Sequence, residues 1–539
     1  MTVPTVSQST STSLPERYNV STILDRNLEA GRGAKVALRG AGGEATYQQL
    51  LDDACAAGRA LRALGVQREQ RVLLVQDDSP AFVAAFLGAI RAGMVPVPLN
   101  PLFKADDYRY LLADSDAQAV IVDLELLDKV REALAGYPER VELIVVGGAA
   151  EGAHGFHELL AEHAGELAPA NTHRDDPAFW LYSSGSTGRP KGVVHLQHDL
   201  PYTCQTYASQ VLGIREDDVC LSTTKLFHAY GFGNCLSFPF WVGATAVQLR
   251  GRPVPDRVFE AVERFRPTLF FSVPTLYNAM LRSPGAERRD LSSVRLCVSA
   301  AESLPADIWR RWHDAYGLTI LDGIGSTEML HIFCSNTLTE LQPGSSGKPV
   351  PGYELKLLDE QLASTPPGET GNLYVRGDSA LAFYWRQHEK TKQTVLGDWI
   401  YTGDRYRQDA DGFWWHQGRA DDMLKVGGNW VSPVEMEQAL GEHDAVDECA
   451  VVQVLVEGLT RIKAVVVTSR ADRERLTPEL QAWCKQRLQR YEYPHIVEYV
   501  EELPKTTTGK IQRYKLREAA TDRGTTPAVP RTPPAGTGA

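Results

Sequence analysis

Apolar, β-branched-rich runs alternate along the first half of the chain with stretches of helical period, and that rhythm restricts the fold more than any other feature. Strands are expected at Val36–Leu38, Arg71–Val75, Val95–Leu99, Ala119–Val122, Val141–Val146, Phe179–Tyr182, Ala244–Leu249, Leu269–Val273 and Leu296–Val298. Helices are expected from Tyr47 to about Leu64 and after Pro80. Strand, helix, strand in succession means mostly parallel sheets. Runs such as VELIVV at Val141–Val146 are apolar but for Glu142, as suits strands covered on both faces. After about Gly368 the pattern changes to GNLYVRG (Gly371–Gly377), WIYTGD and GFWWHQGR, which predict strands joined by tight turns in a small β unit. Beyond a hinge near residue 420, a separate α+β segment is expected. It has helices at Pro433–Leu440 and Pro478–Leu488 and strands at Ala450–Val456 and Ala464–Thr468. Residues 1–19 are expected to be flexible. Residues 521–539, with four Pro and three Gly, have the composition of a disordered tail.

With 539 residues, 43% of them hydrophobic and 23% charged, the chain has the balance of a soluble globular protein of several packing units. Its net charge of −12 leaves no basic footprint for a phosphate backbone, so nucleic acid is excluded as the main partner. No apolar run approaches the roughly 20 residues that span a bilayer, which excludes a membrane partner. The start, Met1–Leu14, lacks the basic and apolar regions of a signal peptide, so a cytoplasmic location is expected. Eight cysteines lie far apart without a CxxC pair, which fits reduced thiols better than a disulfide frame or a zinc knuckle.

The segment Tyr182–Gly192 (YSSGSTGRPKG) packs three glycines, four Ser/Thr hydroxyls and a lysine into eleven residues after an expected strand. Glycine lets backbone amides approach an anion, hydroxyls donate to its oxygens, and Lys191 adds charge. It is not a Walker A loop, because that pattern would need glycine at Pro190. A plain Gly/Ser turn is the competing reading, and the lysine and hydroxyl content disfavours it. Downstream, Asp322-Gly-Ile-Gly-Ser-Thr-Glu328 offers the Thr327 hydroxyl and the Glu328 carboxylate. Next to a polyphosphate, a carboxylate is a natural Mg²⁺ ligand. Tyr401–Asp404 and Gly418–Asp421 present Asp404, able to accept from ribose hydroxyls, and Arg419, able to donate. Finally, Pro504–Arg513 (PKTTTGKIQR) places Lys510 at the end of a Gly/Thr-rich loop.

These five blocks, in this order, resemble the adenylate-forming superfamily of acyl-CoA synthetases, peptide-synthetase adenylation domains and luciferases, over essentially residues 20–518. The resemblance implies an α/β fold. A large N-terminal domain (20–420) of two α/β sheets plus a β-barrel subdomain (about 340–417) would be followed by a small mobile α+β C-terminal domain (421–520). It also implies ATP, Mg²⁺ and coenzyme A as cofactor and co-substrates. Ser183, Ser184, Gly185, Ser186, Thr187, Gly188 and Lys191 would then cradle the β- and γ-phosphates. Thr327 would contact the α-phosphate, Glu328 would hold Mg²⁺, and Asp404 and Arg419 would clamp the ribose. Ala301, Glu302 and Ser303, with Asp322, Gly323, Ile324, Gly325 and Ser326, would frame the adenine. Many members stack an aromatic on the base where this chain has Ile324. Lys510 matches the family's catalytic lysine, which bridges the substrate carboxylate and the α-phosphate. Asp421 matches its hinge, about which Lys425, Gly427, Gly428 and Trp430 would swing in to line the channel for the CoA thiol.

Amino-acid-activating members carry an acid in the block Phe227–Tyr230, because a buried ammonium needs a carboxylate. This chain has His228 there, which by family analogy is an aromatic gate between acyl pocket and CoA channel. KLFHAYGFGN (Lys225–Asn234), SAAESLP (Ser299–Pro305) and DGIGSTEMLHIF (Asp322–Phe333) are most similar to the benzoate-CoA ligase group. That similarity implies an aryl pocket of Ala229, Tyr230, Ala300, Gly325, His331 and Ile332, in which two alanines and a glycine leave room for a flat ring. The implied reaction joins benzoate, or a hydroxy- or aminobenzoate, to CoA through an acyl-AMP. An enzyme loading a separate carrier protein and an inactive acyl-adenylate binder are the other readings. Either a monomer or a homodimer is compatible with the pattern.

Overall fold

The computed structural model describes residues 14–521 except 139, 184–188, 421, 427–428, 457–458, 490–491 and 506–510. Two α/β sheets dominate. The first is parallel throughout, in the order Val95–Pro98, Arg71–Val75, Ala117–Asp123, Glu142–Val146, His154–Gly155. The second has nine strands. Its centre, from Ile320–Gly325 through Leu296–Ser299, Leu269–Ser272, Val219–Ser222 and Thr245–Gln248 to Val36–Gly40, is parallel. Its edges, Ile332–Ser335 with Lys348–Pro349 and Gly43–Thr46, are antiparallel.

The helices between the sheets begin where the sequence punctuates them. Thr46 and Gln49 form a capping box on Tyr47–Ala63, and Ser79 caps Pro80–Arg91 with proline in the first turn. The two helices meet at Gly58 and Gly88. A Cβ on Gly88 would come within 2.5 Å of the Ala54 carbonyl oxygen, so only glycine permits this approach. Helix Pro80–Arg91 is buried on almost every side, and this is why its sequence is apolar all round.

A third unit is antiparallel: Glu354–Leu358, Thr370–Arg376 and Trp399–Gln408 pair in turn, and Trp414–Arg419 and Val395–Leu396 also pair with Trp399–Gln408. The strands predicted from GNLYVRG and WIYTGD are neighbours here, but no tight turn joins them. The chain between leaves to pair Phe383–Tyr384 with the strand Lys191–Leu196, and Trp385 packs on Trp180 with ring centroids 4.5 Å apart. Tyr384 and Trp385 therefore find their burial against another sheet, while Phe383 stays exposed. Lys191–Leu196 in turn forms a hairpin with Pro177–Ser183, with Ser183 opposite Lys191.

The last segment has its own sheet, Glu448–Val456, Leu459–Val467 and Ile496–Val500, and its own apolar clusters. Helix Pro433–Gly441 lies as expected. The helix expected from Pro478 starts earlier, at Arg473, with Pro478 inside it. Leu476, Leu480 and Cys484 share a buried face across the proline, and this packing outweighs the single backbone bond that proline removes. All eight cysteines are free thiols, seven of them buried. Among the described residues no helix is long and apolar enough to cross a membrane.

Candidate active site

The hairpin Pro177–Ser183/Lys191–Leu196 delivers the two ends of the Gly/Ser loop side by side; Ser184, Gly185, Ser186, Thr187 and Gly188 lie outside the described residues. Against its base stands the short turn Thr327–Met329. Glu328 Oε1 accepts hydrogen bonds from Ser183 Oγ at 3.3 Å and from the Tyr384 hydroxyl at 2.8 Å. Lys191 lies with Nζ 4.8 Å from the Tyr384 ring centroid. Burial lowers the Lys191 pKa, Glu328 partly restores it, and the cations Lys390 and Arg419 lower it further. Three cations within electrostatic reach of one another suit a polyanion. One carboxylate flanked by hydroxyls, beside the place for phosphates, fits Mg²⁺, which takes one or two acids and completes its shell with substrate oxygens.

The turn is held from outside at each carbonyl. His195 Nε2 lies 2.8 Å from Thr327 O, Leu381 N donates to Glu328 O at 2.7 Å, and Ser379 Oγ donates to Met329 O at 2.9 Å. Ser326 caps it by accepting from Met329 N at 3.2 Å.

Asp404 and Arg419 are cross-strand partners on Trp399–Gln408 and Trp414–Arg419, with Arg419 Nη1 donating to Asp404 Oδ1 at 3.1 Å. Burial pushes the Asp404 carboxyl up, but the Arg419 guanidinium and His416 outweigh it and hold the pKa at about 2. His416 Nδ1 lies 2.7 Å from Ser303 Oγ and its Nε2 3.6 Å from Asp404 Oδ1, so this ring ties Ser303 to the carboxylate. Of the other adenine candidates, Ala301 has a left-handed backbone (φ 74°). Glu302 turns away to accept from Thr275 Oγ1 at 2.6 Å and from Thr275 N at 3.2 Å. Asp322 points its carboxyl inward, where burial raises its pKa well above the usual carboxylate range against the Ser299 hydroxyl and the Leu304 and Gly323 amides. From Glu302 and Asp322, only the backbone remains to meet a base. Gly323 and Ile324 sit opposite Ser335 and Cys334, and Ile324 is partly buried against the core.

The six residues of the expected aryl pocket come together at the edge of the second sheet. Gly325 pairs with Ile332, and a Cβ on Gly325 would come within 2.5 Å of His331 O. Ala300 follows strand Leu296–Ser299 and is buried, as is Ala229. The Tyr230 hydroxyl reaches the Val298 and Ser272 carbonyls at 3.1 and 3.3 Å. His331 packs with Tyr207, Tyr230 and Phe238 at ring distances of 5.5, 5.5 and 4.4 Å. Burial lowers the pKa of this imidazole to about 3. Its Nε2 lies 3.3 Å from both Tyr230 O and Asn234 Oδ1, two acceptors, so Nε2 carries the proton and Nδ1 is a bare, buried lone pair without a partner. His228 precedes helix Ala229–Phe232 and stacks with Phe227 at 4.3 Å.

Lys510, Asp421, Gly427 and Gly428 lie outside the described residues. Lys425 and Trp430 are cross-strand partners in the short hairpin Leu424–Val426/Asn429–Val431. At the base of the loop that ends in Lys510, Lys505 bridges Ile511, and Lys505 Nζ meets Glu448 Oε1 at 2.7 Å. The sequence reading missed Tyr384, His416 and His195. Each acts across a long chain separation, and no local spacing marks it.

Residues 24–385 match the family model of AMP-binding enzymes, and residues 435–510 match that of the AMP-binding enzyme C-terminal domain. The chain belongs to this family of AMP-binding enzymes. It is 47% identical to the benzoate–CoA ligase of Thauera aromatica, covering 94% of this chain and 97% of that one. Among solved structures, an anthranilate CoA ligase in complex with anthranoyl-AMP matches with a TM-score of 0.92 at 43% identity, covering 95% of this chain and 99% of that one. A benzoate CoA ligase from Burkholderia xenovorans LB400 matches with a TM-score of 0.87 at 46% identity, covering 93% of this chain and all of the other.

Proposed function

We propose that this chain is an ATP-dependent aryl-acid–CoA ligase that converts benzoate to benzoyl-CoA through benzoyl-AMP, with release of AMP and pyrophosphate. What supports this reading is the set of side chains: small residues at Ala229, Ala300 and Gly325, Tyr230 and Ile332 as ring faces, and His331, whose pKa burial lowers to about 3. Tyr230 is tied by its hydroxyl to the Val298 and Ser272 carbonyls, which fixes the ring beside Ala300. The block Phe227–Tyr230 carries His228 where an amino-acid substrate would need a carboxylate for its ammonium. Likeness to ligases of benzoate and anthranilate supports the same acid class.

A carboxylate attacks an anionic phosphate poorly, so cations must be set in place beforehand. In this reading the 183–191 loop and Lys191 hold the β- and γ-phosphates, and Thr327 the α-phosphate. Asp404 and Arg419 orient the ribose, and Lys510 draws the benzoate carboxylate in line with the α-phosphorus. Mg²⁺ bound at Glu328 would neutralise phosphate oxygens as pyrophosphate leaves. The 421–520 segment then turns about Asp421, withdrawing Lys510 and bringing Lys425–Trp430 to guide the CoA thiol past His228 onto the acyl carbon. The work is cytoplasmic, where ATP and CoA are found.

The test is AMP release and thioester formation by purified protein with Mg-ATP and CoA, across benzoate, hydroxy- and aminobenzoates, cyclohexanecarboxylate, acetate, octanoate and amino acids. Turnover confined to benzoate-like acids is expected. Faster turnover of acetate or octanoate would break the pocket assignment, and AMP release without thioester would favour a carrier-protein acceptor. The bare Nδ1 of His331 favours one variant of the reading: a ring amino or hydroxyl group placed against it would supply the missing donor. In that case aminobenzoate or hydroxybenzoate is preferred over benzoate by about 1–3 kcal/mol.

A further inference from the structure

His195 and Asp199 are completely buried, four residues apart, and neither belongs to the groups expected to touch substrate. His195 Nδ1 lies 2.8 Å from Asp199 Oδ2, which also accepts from Leu196 N at 3.1 Å. The other ring nitrogen, Nε2, lies 2.8 Å from the carbonyl oxygen of Thr327, 132 residues further along the chain. Both ring nitrogens face acceptor oxygens, Asp199 Oδ2 on one side and Thr327 O on the other, so the ring is tied at both ends. Phe179 stacks on the ring with centroids 5.3 Å apart, which leaves it one orientation.

A buried His–Asp pair is a poor way to gain stability, since well-packed apolar residues of similar volume do as well or better. What it supplies is direction. The turn it grips ends in Leu330, held at φ 63°, a left-handed backbone that a leucine adopts only under constraint. His195 also lies on the strand Lys191–Leu196, four residues from Lys191 and therefore on the same face, roughly 13 Å away. One stiff strand thus registers the lysine of the phosphate loop against the turn that carries Thr327 and Glu328.

We propose that His195, oriented by Asp199, is a positioning residue that aims Thr327 and Glu328 at the phosphate chain during acyl-adenylate formation. This rests on the phosphate and metal roles given to those two residues above. A 1 Å displacement of reacting groups costs about 10²-fold in rate. His195→Phe, which keeps the stacking on Phe179 but has no donor, is therefore expected to slow benzoate-dependent ATP–pyrophosphate exchange by about 30- to 100-fold. His195→Gln places an amide donor near Nε2 and is expected to recover exchange to within about fivefold of the parent. Asp199→Asn keeps the shape, weakens the acceptor that orients Nδ1, and is expected to fall between them. In all three, thioester formation from supplied benzoyl-AMP changes by no more than about threefold, and the KM for ATP stays near that of the parent while kcat falls. Glu328→Gln is the control. If it abolishes exchange while folded His195→Phe and Asp199→Asn retain it in full, the dyad is only a core pair and the proposal fails. The proposal fails equally if both half-reactions fall together in His195→Gln and Asp199→Asn. If Glu328→Gln itself exchanges normally, the roles of the turn are wrong and the proposal falls with them.

Discussion

The two ends of the site treat charge in opposite ways. At the phosphate end Asp404 is buried yet ionised, its pKa held at about 2 because Arg419 and His416 lie against it, and Lys191 faces Glu328. At the ring end His331 is just as buried but has only neutral neighbours, and burial takes its pKa to about 3. Depth alone therefore does not decide whether a side chain carries charge; an oppositely charged partner within reach does. The contrast agrees with the occupants proposed for each end: a polyanion on one side, an apolar ring on the other.

The largest expected effect lies at the charged end. Lys510→Ala should lower acyl-adenylate formation by roughly 10²–10³-fold while sparing thioester formation from supplied benzoyl-AMP, as measured by separate assays of the two halves. Equal loss in both would mean that one arrangement of the C-terminal segment serves both steps. At the neutral end, Gly325→Ala drives a methyl toward the His331 carbonyl and displaces the pocket edge. We expect the KM for benzoate to rise about 10- to 100-fold with little change in the KM for ATP, which kinetics with each substrate varied would reveal. A change in the ATP constant instead would show that the two ends are not separate.

The smallest effect sharpens the comparison through pH. His331 binds its proton more weakly in the folded chain, near pH 3 against an ordinary 6.5, so below pH 6.5 the unfolded chain takes up a proton that the folded one refuses. Stability is complete above pH 6.5 and falls as pH drops toward 3, by at most roughly 5 kcal/mol. Asp404 works in the same sense over a lower window, its share being present above about pH 4 and lost toward pH 2. Urea midpoints across pH 3–7 should therefore show a slope that His331→Phe flattens between 6.5 and about 4. An unchanged slope would mean that the imidazole is charged in the native protein, contrary to its neutral surroundings.

Much of the fold was legible because strands and helices announce themselves locally. The apolar run Leu143–Val146 and the capping box at Thr46 need no distant residue to be read. The sequence pattern also singled out Thr327, Glu328, Asp404 and Arg419 from short blocks, and the structure sets Asp404 beside Arg419. It misread the link between Thr370–Arg376 and Trp399–Gln408, and the start of helix Arg473–Arg487, because in both places packing elsewhere overrides a local turn signal. What the sequence by itself determined is which groups are available and in what order. Only the tertiary structure decided that Tyr384 would hold Glu328, that His416 would join Ser303 to Asp404, and that His195 would grip Thr327. These contacts span 56, 113 and 132 residues, and a hydrogen bond has meaning only once both its ends have been brought within about 3 Å.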